Sequence, residues 1–376
     1  MTGPGEEGGR VFDRLVGQRP AVRQLRAAAR TPVHAYLLVG PPGGGKRPAA
    51  RAFAAALLCP QGGCGTCDVC TRVLSDIHPD AVVVEREGAS ISVPQAQEIR
   101  RLAMRSPNEC HRKVLTLVDF HLVLTAGPTL LKIVEEPPGS TVFVILAEHV
   151  PPELVTIASR CVRIDFRSLA PSELVQALVG EGVDEATASR VAEAAGGRLD
   201  RARLLASDPG FEDRRRAWQS LPTRLDGTGA TVSLLAAELV ELLASAAVGP
   251  LEERHAEERA ALEARIERSG ERGSGRKQLQ ERHRRELRRL RADELRYGLA
   301  LLADAYGQAL AGGSAQTGRG CLTSLEAIQA AAEAIVRNPN ELLFLQALLL
   351  KLAPLLSTIR DGRPPSDARY SAAPPG

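Results

Sequence analysis

Residues 35–58 read AYLLVGPPGGGKRPAARAFAAALL. An apolar run of strand length (35–40) passes into a turn rich in glycine, and Lys46 opens a helical run over 46–58. A strand that leads straight into a helix must cross over before the next strand can lie beside it, so this stretch predicts a parallel sheet. The turn also fits a phosphate cradle. Gly40, four residues, then Gly45-Lys46 follow the phosphate-loop spacing, with backbone N–H groups and a helix N-terminus free to surround an anion. Lys46 would reach the terminal phosphates. The next position ordinarily gives a Ser or Thr hydroxyl to magnesium. Here it is Arg47, which has no acceptor and brings its own charge. A plain glycine-rich turn explains the glycines alone. It does not explain strand, spacing, lysine and helix together.

Four more runs read as strands: AVVVE (81–85), KVLTLVD (113–119), TVFVILA (141–147) and VRIDF (162–166). Several are apolar without alternation, the pattern of strands covered on both faces. Helical stretches such as VPQAQEIRRLAMR and TLLKIVEE fill the intervals. The expectation is an α/β core over 1–167, a parallel sheet with helices on both faces. The other half of an ATPase site would be an apolar strand ending in Asp-Glu. The candidate is VLTLVDFH, where Asp119 can stand near a metal but Phe120 takes the place of the base that orients water. A phenyl ring accepts no proton. Two departures in independent motifs predict a site that no longer hydrolyses ATP. They leave open whether Gly40, Gly43, Gly44, Gly45 and Lys46 still hold ATP, ADP or phosphate.

Four of the seven cysteines lie in CPQGGCGTCDVC, as Cys59, Cys64, Cys67 and Cys70. Four thiolates at this spacing suit a closed tetrahedral zinc site with a structural role. Buried thiols or a redox pair are the plainer readings. His78 could replace a ligand, but HPD (78–80) better suits the approach to the strand at 81–85. Cys110, Cys161 and Cys321 are isolated and read as packing residues.

Beyond Phe166 the strand signal fades. Residues 168–209 predict a small helical unit broken at Gly196-Gly197, and 210–376 an all-α domain. In the latter, PNELLFLQALLLKLAPLL predicts a helix capped by Asn338 with Pro339 in its first turn. Residues 251–296 predict a charged helical hairpin turning at SGERGSG. Its first arm (251–268) holds six Glu and four Arg, and its second (276–296) nine basic and four acidic side chains. Opposed charges fit an antiparallel pair. Contact with DNA or another subunit is the sharper reading, and neither arm has an aromatic residue to stack on bases. The tail from Gly362 has the composition of a disordered segment. The net charge of +3 gives no global field for nucleic acid. The N-terminus has no apolar run and no uncharged span of membrane length follows, which predicts a cytoplasmic protein.

The segments HAYLLVGPPGGGK, the four-cysteine insertion, HPD, LLKIVEEPP and SRC, in this order, resemble the AAA+ subunits of bacterial DNA polymerase III clamp loaders. The resemblance is close over roughly 11–210 and one of type only beyond. It implies an AAA+ core with a zinc module inserted at 59–70, a helical lid and a helical collar. It also implies a place in a ring with gamma/tau motor subunits and a delta subunit, acting on a sliding clamp and primed DNA. By the same resemblance Arg160 of SRC matches an arginine finger that acts in trans on a neighbour's ATP. Without it, Arg160 reads as a surface arginine. Ala147 and Glu148 stand where motor subunits carry a polar sensor, a third departure from an active site. GGRLDRA (196–202) lies where the lid's sensor arginine belongs, without showing which arginine matches. The departures fit a non-hydrolysing stator better than a motor. An active ATPase of the same family, and a DNA-binding scaffold that kept the fold, are the rival readings.

Overall fold

A computed structural model of the chain describes residues 9–86, 90–123, 126–245, 250–269, 276–312, 315–337 and 339–355. The hairpin turn at 270–275, Asn338 and the C-terminal tail lie outside them.

Five strands, β1 (Ala35–Val39), β2 (Ala81–Val84), β3 (Lys113–Leu117), β4 (Thr141–Ala147) and β5 (Val162–Asp165), form one parallel sheet in the order β2-β3-β4-β1-β5. Each crossover runs through helix: α1 (Arg19–Arg30) precedes β1, and α2 (Lys46–Leu58) and α3 (Asp68–Leu74) follow it. Next come α4 (Val93–Met104), α5 (Gly127–Glu135) and α6 (Val155–Ala158). Strand side chains alternate between faces. Tyr36 and Leu38 therefore pack with Leu25 of α1 and Phe53 of α2, while Leu37 and Val39 pack with Ile99 of α4 and Leu130 of α5. β1, β3 and β4 are buried at every position, Lys113, Thr116 and Thr141 included. β5 departs from that pattern. Only Ile164 is buried, because β5 is an edge strand paired with β1 alone.

Three short helices follow: α7 (Pro171–Gly180), α8 (Glu185–Ala194) and α9 (Leu199–Ala206). Asp184 caps α8, its carboxylate accepting from Thr187 N at 2.9 Å. The remainder is helical: α10 (Phe211–Arg224), α11 (Gly229–Ser245), α12 (Pro250–Ser269), α13 (Arg276–Gly312), α14 (Ala315–Ala334) and α15 (Glu341–Leu349). Packing divides the chain into two compact units, Met1–Pro209 with Arg254–His283, and Gly210–Glu253 with Arg284–Gly376.

The second unit closes on Trp218, Leu235, Leu299, Leu302, Tyr306, Leu345 and Leu348. A buried ion pair sits in it, Arg214 Nε to Glu294 Oε2 at 3.1 Å. The cap of α15 is Asn340, whose Oδ1 accepts from Leu343 N at 3.1 Å, and not Asn338 as the sequence suggests. A cap residue needs extended backbone with its oxygen over the third helical N–H. Asn340 has that backbone, so Pro339 precedes the cap and does not enter the first turn.

Within the first unit the two hairpin arms are joined by ion pairs. Glu263 pairs with Arg276 at 2.6 Å, and Glu258 with Arg282 at 2.5 Å and His283 at 2.8 Å. Partner numbers fall on one arm as they rise on the other, the mark of an antiparallel pair. No helix among the described residues is long and apolar enough to cross a membrane.

Candidate functional site

The glycine loop leaves the C-terminal end of β1 and closes on the first turn of α2. Gly43 and Gly45 take left-handed backbone, φ +71° and +86°, which side chains with a Cβ rarely adopt. Gly40 is confined by its neighbour, since a Cβ there would stand 2.2 Å from Phe166 O. Lys46 Nζ donates to Gly40 O at 2.5 Å and Pro41 O at 2.8 Å, so its ammonium curls into the loop's own carbonyls.

Arg47 follows the loop lysine in the first turn of α2. Its guanidinium lies 2.5 Å from Glu85 Oε1, just past β2, and 3.7 Å from Asp76 Oδ2. Arg51, one turn along α2, also chelates Asp76. Burial disfavours the Arg47 charge, but Glu85, Asp76 and Asp119 together outweigh it and hold the group more firmly protonated than usual. A cation thus stands beside the Glu85 and Asp76 carboxylates at the position that follows the loop lysine. An incoming metal would meet that charge.

Asp119 follows β3 in left-handed backbone (φ +55°), and its carboxylate pairs with Arg86 Nε at 3.3 Å. Phe120 is fully buried against the α4–α5 face of the sheet. The position that would hold a general base is therefore part of the core. His121 is nearly buried, and burial lowers its pKa. Its Nδ1 accepts from Glu148 N at 3.3 Å. Ala147 ends β4 with its carbonyl accepting from Gly40 N at 3.2 Å. That end of β4 therefore supplies the loop with a backbone acceptor and no polar side chain.

The α7–α9 segment closes over the loop. A Cβ on Gly43 would stand 2.3 Å from Arg198 Cγ. Of the two arginines in 196–202, Arg198 is thus the one over the phosphate cradle, and Arg201 is buried. Gln18 ties the loop to the strand exit. Its Nε2 donates to Gly44 O at 3.0 Å and Arg167 O at 2.7 Å. Arg167 in turn reaches Gly17 O at 3.0 Å and chelates Glu173 of α7.

The four cysteines converge between α2 and α3. Their sulfurs all lie within 4.8 Å of one another, with Cys59 Sγ 3.9 Å from Cys64 Sγ and 3.7 Å from Cys67 Sγ. Zinc–sulfur bonds of about 2.3 Å in a tetrahedron put sulfurs about 3.8 Å apart. None of the cysteines forms a disulfide. Backbone N–H groups of Thr66 and Cys67 pull the Cys64 thiol down to about 6, while burial raises Cys67 and Cys70. One preformed thiolate beside buried thiols suits a metal that displaces the remaining protons. The residues present therefore fit a zinc site closed by four cysteines.

His78 stands apart from these four. Its Nδ1 accepts from Asp80 N at 3.1 Å and its Nε2 faces Cys110 Sγ at 3.8 Å. Asp80 is fully buried and accepts from Asn108 N at 2.6 Å and from Glu109 N and Cys110 N at 2.8 Å each. Those bonds consume the carboxylate and fix the turn before β3. HPD is thus a structural brace, although its side chains lie close enough to Cys110 to suggest a metal group.

Arg160 follows α6 and precedes β5. Its Nε pairs with Glu135, the last residue of α5, and its Nη1 donates to Thr156 O at 2.8 Å. Val162 pairs with Tyr36, next to the start of β1, and Asp165 with Val39 at its end. Arg160 therefore stands at the N-terminal ends of these strands and the phosphate loop at their C-terminal ends.

Gln18, Asp76 and Arg167 escape the sequence reading, which takes Glu85 only as the end of a strand run and Glu135 only as part of LLKIVEEPP. Each meets its partner through the fold.

Residues 17–170 match the family model described as DNA polymerase III, delta subunit. Over 200 residues the chain is 36% identical to the DNA polymerase III subunit gamma/tau of Mycobacterium tuberculosis, covering 50% of this chain. It is 31% identical over 187 residues to the subunit delta' of Bacillus subtilis, covering 49% of this chain. To the subunit delta' of Pseudomonas aeruginosa it is 39% identical over 137 residues, covering 35%. The chain spans 35%, 57% and 42% of the lengths of these relatives.

Proposed function

We propose, for a chain whose residues 17–170 match the model described as DNA polymerase III, delta subunit, that it is a clamp-loader subunit and serves as a delta-prime-type stator. In this role it does not hydrolyse ATP. It helps load a sliding clamp onto primed DNA and lends Arg160 to the ATP of a neighbouring gamma/tau-type motor subunit. Its other partner is a delta subunit, and its setting is the cytoplasm. The core over 1–167 and lid over 168–209 form the ATPase-like part, and the helices of 210–376 form the collar.

Similarity alone does not choose between stator and motor, since gamma/tau and delta' relatives both match. The observation that carries the choice is Arg47, locked to Glu85 at the position that follows the loop lysine. Buried Phe120 and the apolar Ala147 support it. With a cation built in and no base to activate water, in-line attack on a γ-phosphate has neither metal nor nucleophile. The loop glycines and Lys46 can still hold a phosphate group, and ATP or ADP bound there would brace the loop without being consumed. Zinc on Cys59, Cys64, Cys67 and Cys70 would tie α2 to α3 and contribute to stability only.

For Arg160 the support is topological. The finger and the home loop are separated by the length of a strand, roughly 13 Å at about 3.3 Å per residue. That separation keeps Arg160 away from its own loop and supports a role on another chain's nucleotide. A guanidinium at a transferring phosphoryl group is worth about 10³–10⁵ in rate in well-studied systems. In a ring with several motors the loss in total turnover would be smaller.

The test is reconstitution with gamma/tau-type and delta subunits. A stoichiometric complex should form with the wild type and with Arg160→Ala. Clamp-stimulated ATP hydrolysis should fall in the variant. Absence of a complex would sink the clamp-loader reading, and undiminished hydrolysis in an intact R160A complex would sink the finger.

A further inference from the structure

We infer that Glu135 is a positioning residue for Arg160, an inference that rests on the finger reading above. The guanidinium is held along one edge only. Its Nε pairs with the Glu135 carboxylate. Its Nη1 donates to Thr156 O at 2.8 Å and lies 3.2 Å from Ser159 Oγ. Among the described residues Nη2 has no protein partner. The side chain is 38% exposed, which leaves room for an anion of another chain to approach.

The arrangement answers a specific need. An arginine at the surface samples many rotamers, and a group that stabilises developing charge is effective only when already in place. Glu135 takes the Nε that a phosphate would otherwise share and turns the remaining fork outward. The Thr156 carbonyl, one turn back on α6, sets the second point of attachment. Two points of attachment on one edge restrict the rotamers the guanidinium can take. α5 has a reason of its own to keep a cation near this end. A carboxylate at a helix C-terminus opposes the helix dipole, and Glu135 ends α5 with Glu136 following. That contribution would appear as stability and not as catalysis, so the two roles can be separated.

The experiment uses the reconstituted complex, with clamp-stimulated ATP hydrolysis as readout. Glu135→Ala should lower kcat while leaving KM for ATP unchanged, because the guanidinium acts on charge that develops during transfer. Its loss should not exceed that of R160A. In the R160A background E135A should remove nothing further, the non-additivity of two residues that act as one. Glu135→Gln, which keeps an oxygen for Nε, should recover most of the loss and also guards against misfolding. If R160A lowers kcat and E135A does not, the positioning role is wrong and the finger stands. If E135A lowers kcat equally with and without Arg160, Glu135 acts elsewhere and the inference falls. If R160A itself has no effect, the finger reading fails first, and this inference with it.

Discussion

The Arg47 guanidinium lies 2.5 Å from the Glu85 carboxylate, bridging the first turn of α2 to the end of β2. The residue after the loop lysine has thus been drawn into an ion pair with the residue just past β2. The chemistry of the loop follows from that pair and from what is missing beside it.

The isolated chain should release no phosphate from ATP above the level of a Lys46→Ala control. Arg47→Thr restores a hydroxyl but should not restore turnover, because Phe120 remains buried and no base is created. The pair is partly exposed, so its loss should cost no more than about 1 kcal/mol of stability. Steady phosphate release measures the first point and urea unfolding the second. Turnover by R47T would show that the hydroxyl was the only defect.

Metal analysis of protein purified without chelator should find about one zinc per chain. Cys64→Ser should lose it, along with part of the thermal stability. Structural zinc contributes about 10–16 kcal/mol to small isolated fingers. The loss should be well below that here, since Cys59, Cys64 and Cys70 also pack into the core of the sheet. Unchanged metal content in C64S would remove these cysteines from the site.

Asp80→Asn should destabilise the core by about 3 kcal/mol, since an amide cannot accept all three N–H bonds that the buried carboxylate accepts. The effect should depend on pH. Burial raises the Asp80 pKa, but the three N–H groups outweigh it and hold the carboxyl below the usual range. The contribution is therefore complete above the unfolded value of about 3.9 and drains away as pH falls through the lower native value. Urea midpoints of wild type and D80N should converge as pH drops below about 4. A constant gap would mean that the charge is irrelevant.

Gly298→Ala tests the second unit. Alanine is the better helix former by about 1 kcal/mol. A Cβ at this point of α13 would stand 2.1 Å from Trp218 Cε2. Overpacking costs about 1–3 kcal/mol, so the net change should be destabilising. Trp218 is the single tryptophan, and its fluorescence should shift as the ring moves. A stabilised G298A with unchanged emission would mean that the helices part without cost.

Much of the core was legible because its signals are local. Short runs rich in Val, Ile and Leu located all five strands within a residue or two of their ends. Four cysteines within twelve residues announced their convergence, since a chain that short can hardly keep them apart. Arg47 and Phe120 declared themselves by standing in motif positions. What the sequence could not reach were the partners. Asp76 and Glu85 meet Arg47 only after α3 and β2 have folded back beside α2, and Glu135 meets Arg160 only once α5 and α6 pack. Arg198, and not Arg201, lies over Gly43 because of the path of α9, and Asn340 caps α15 through its extended backbone. Periodicity and motif spacing record what neighbours along the chain must do. Ion pairs and close approaches depend on where crossovers return the chain in space, and only the packed sheet sets that.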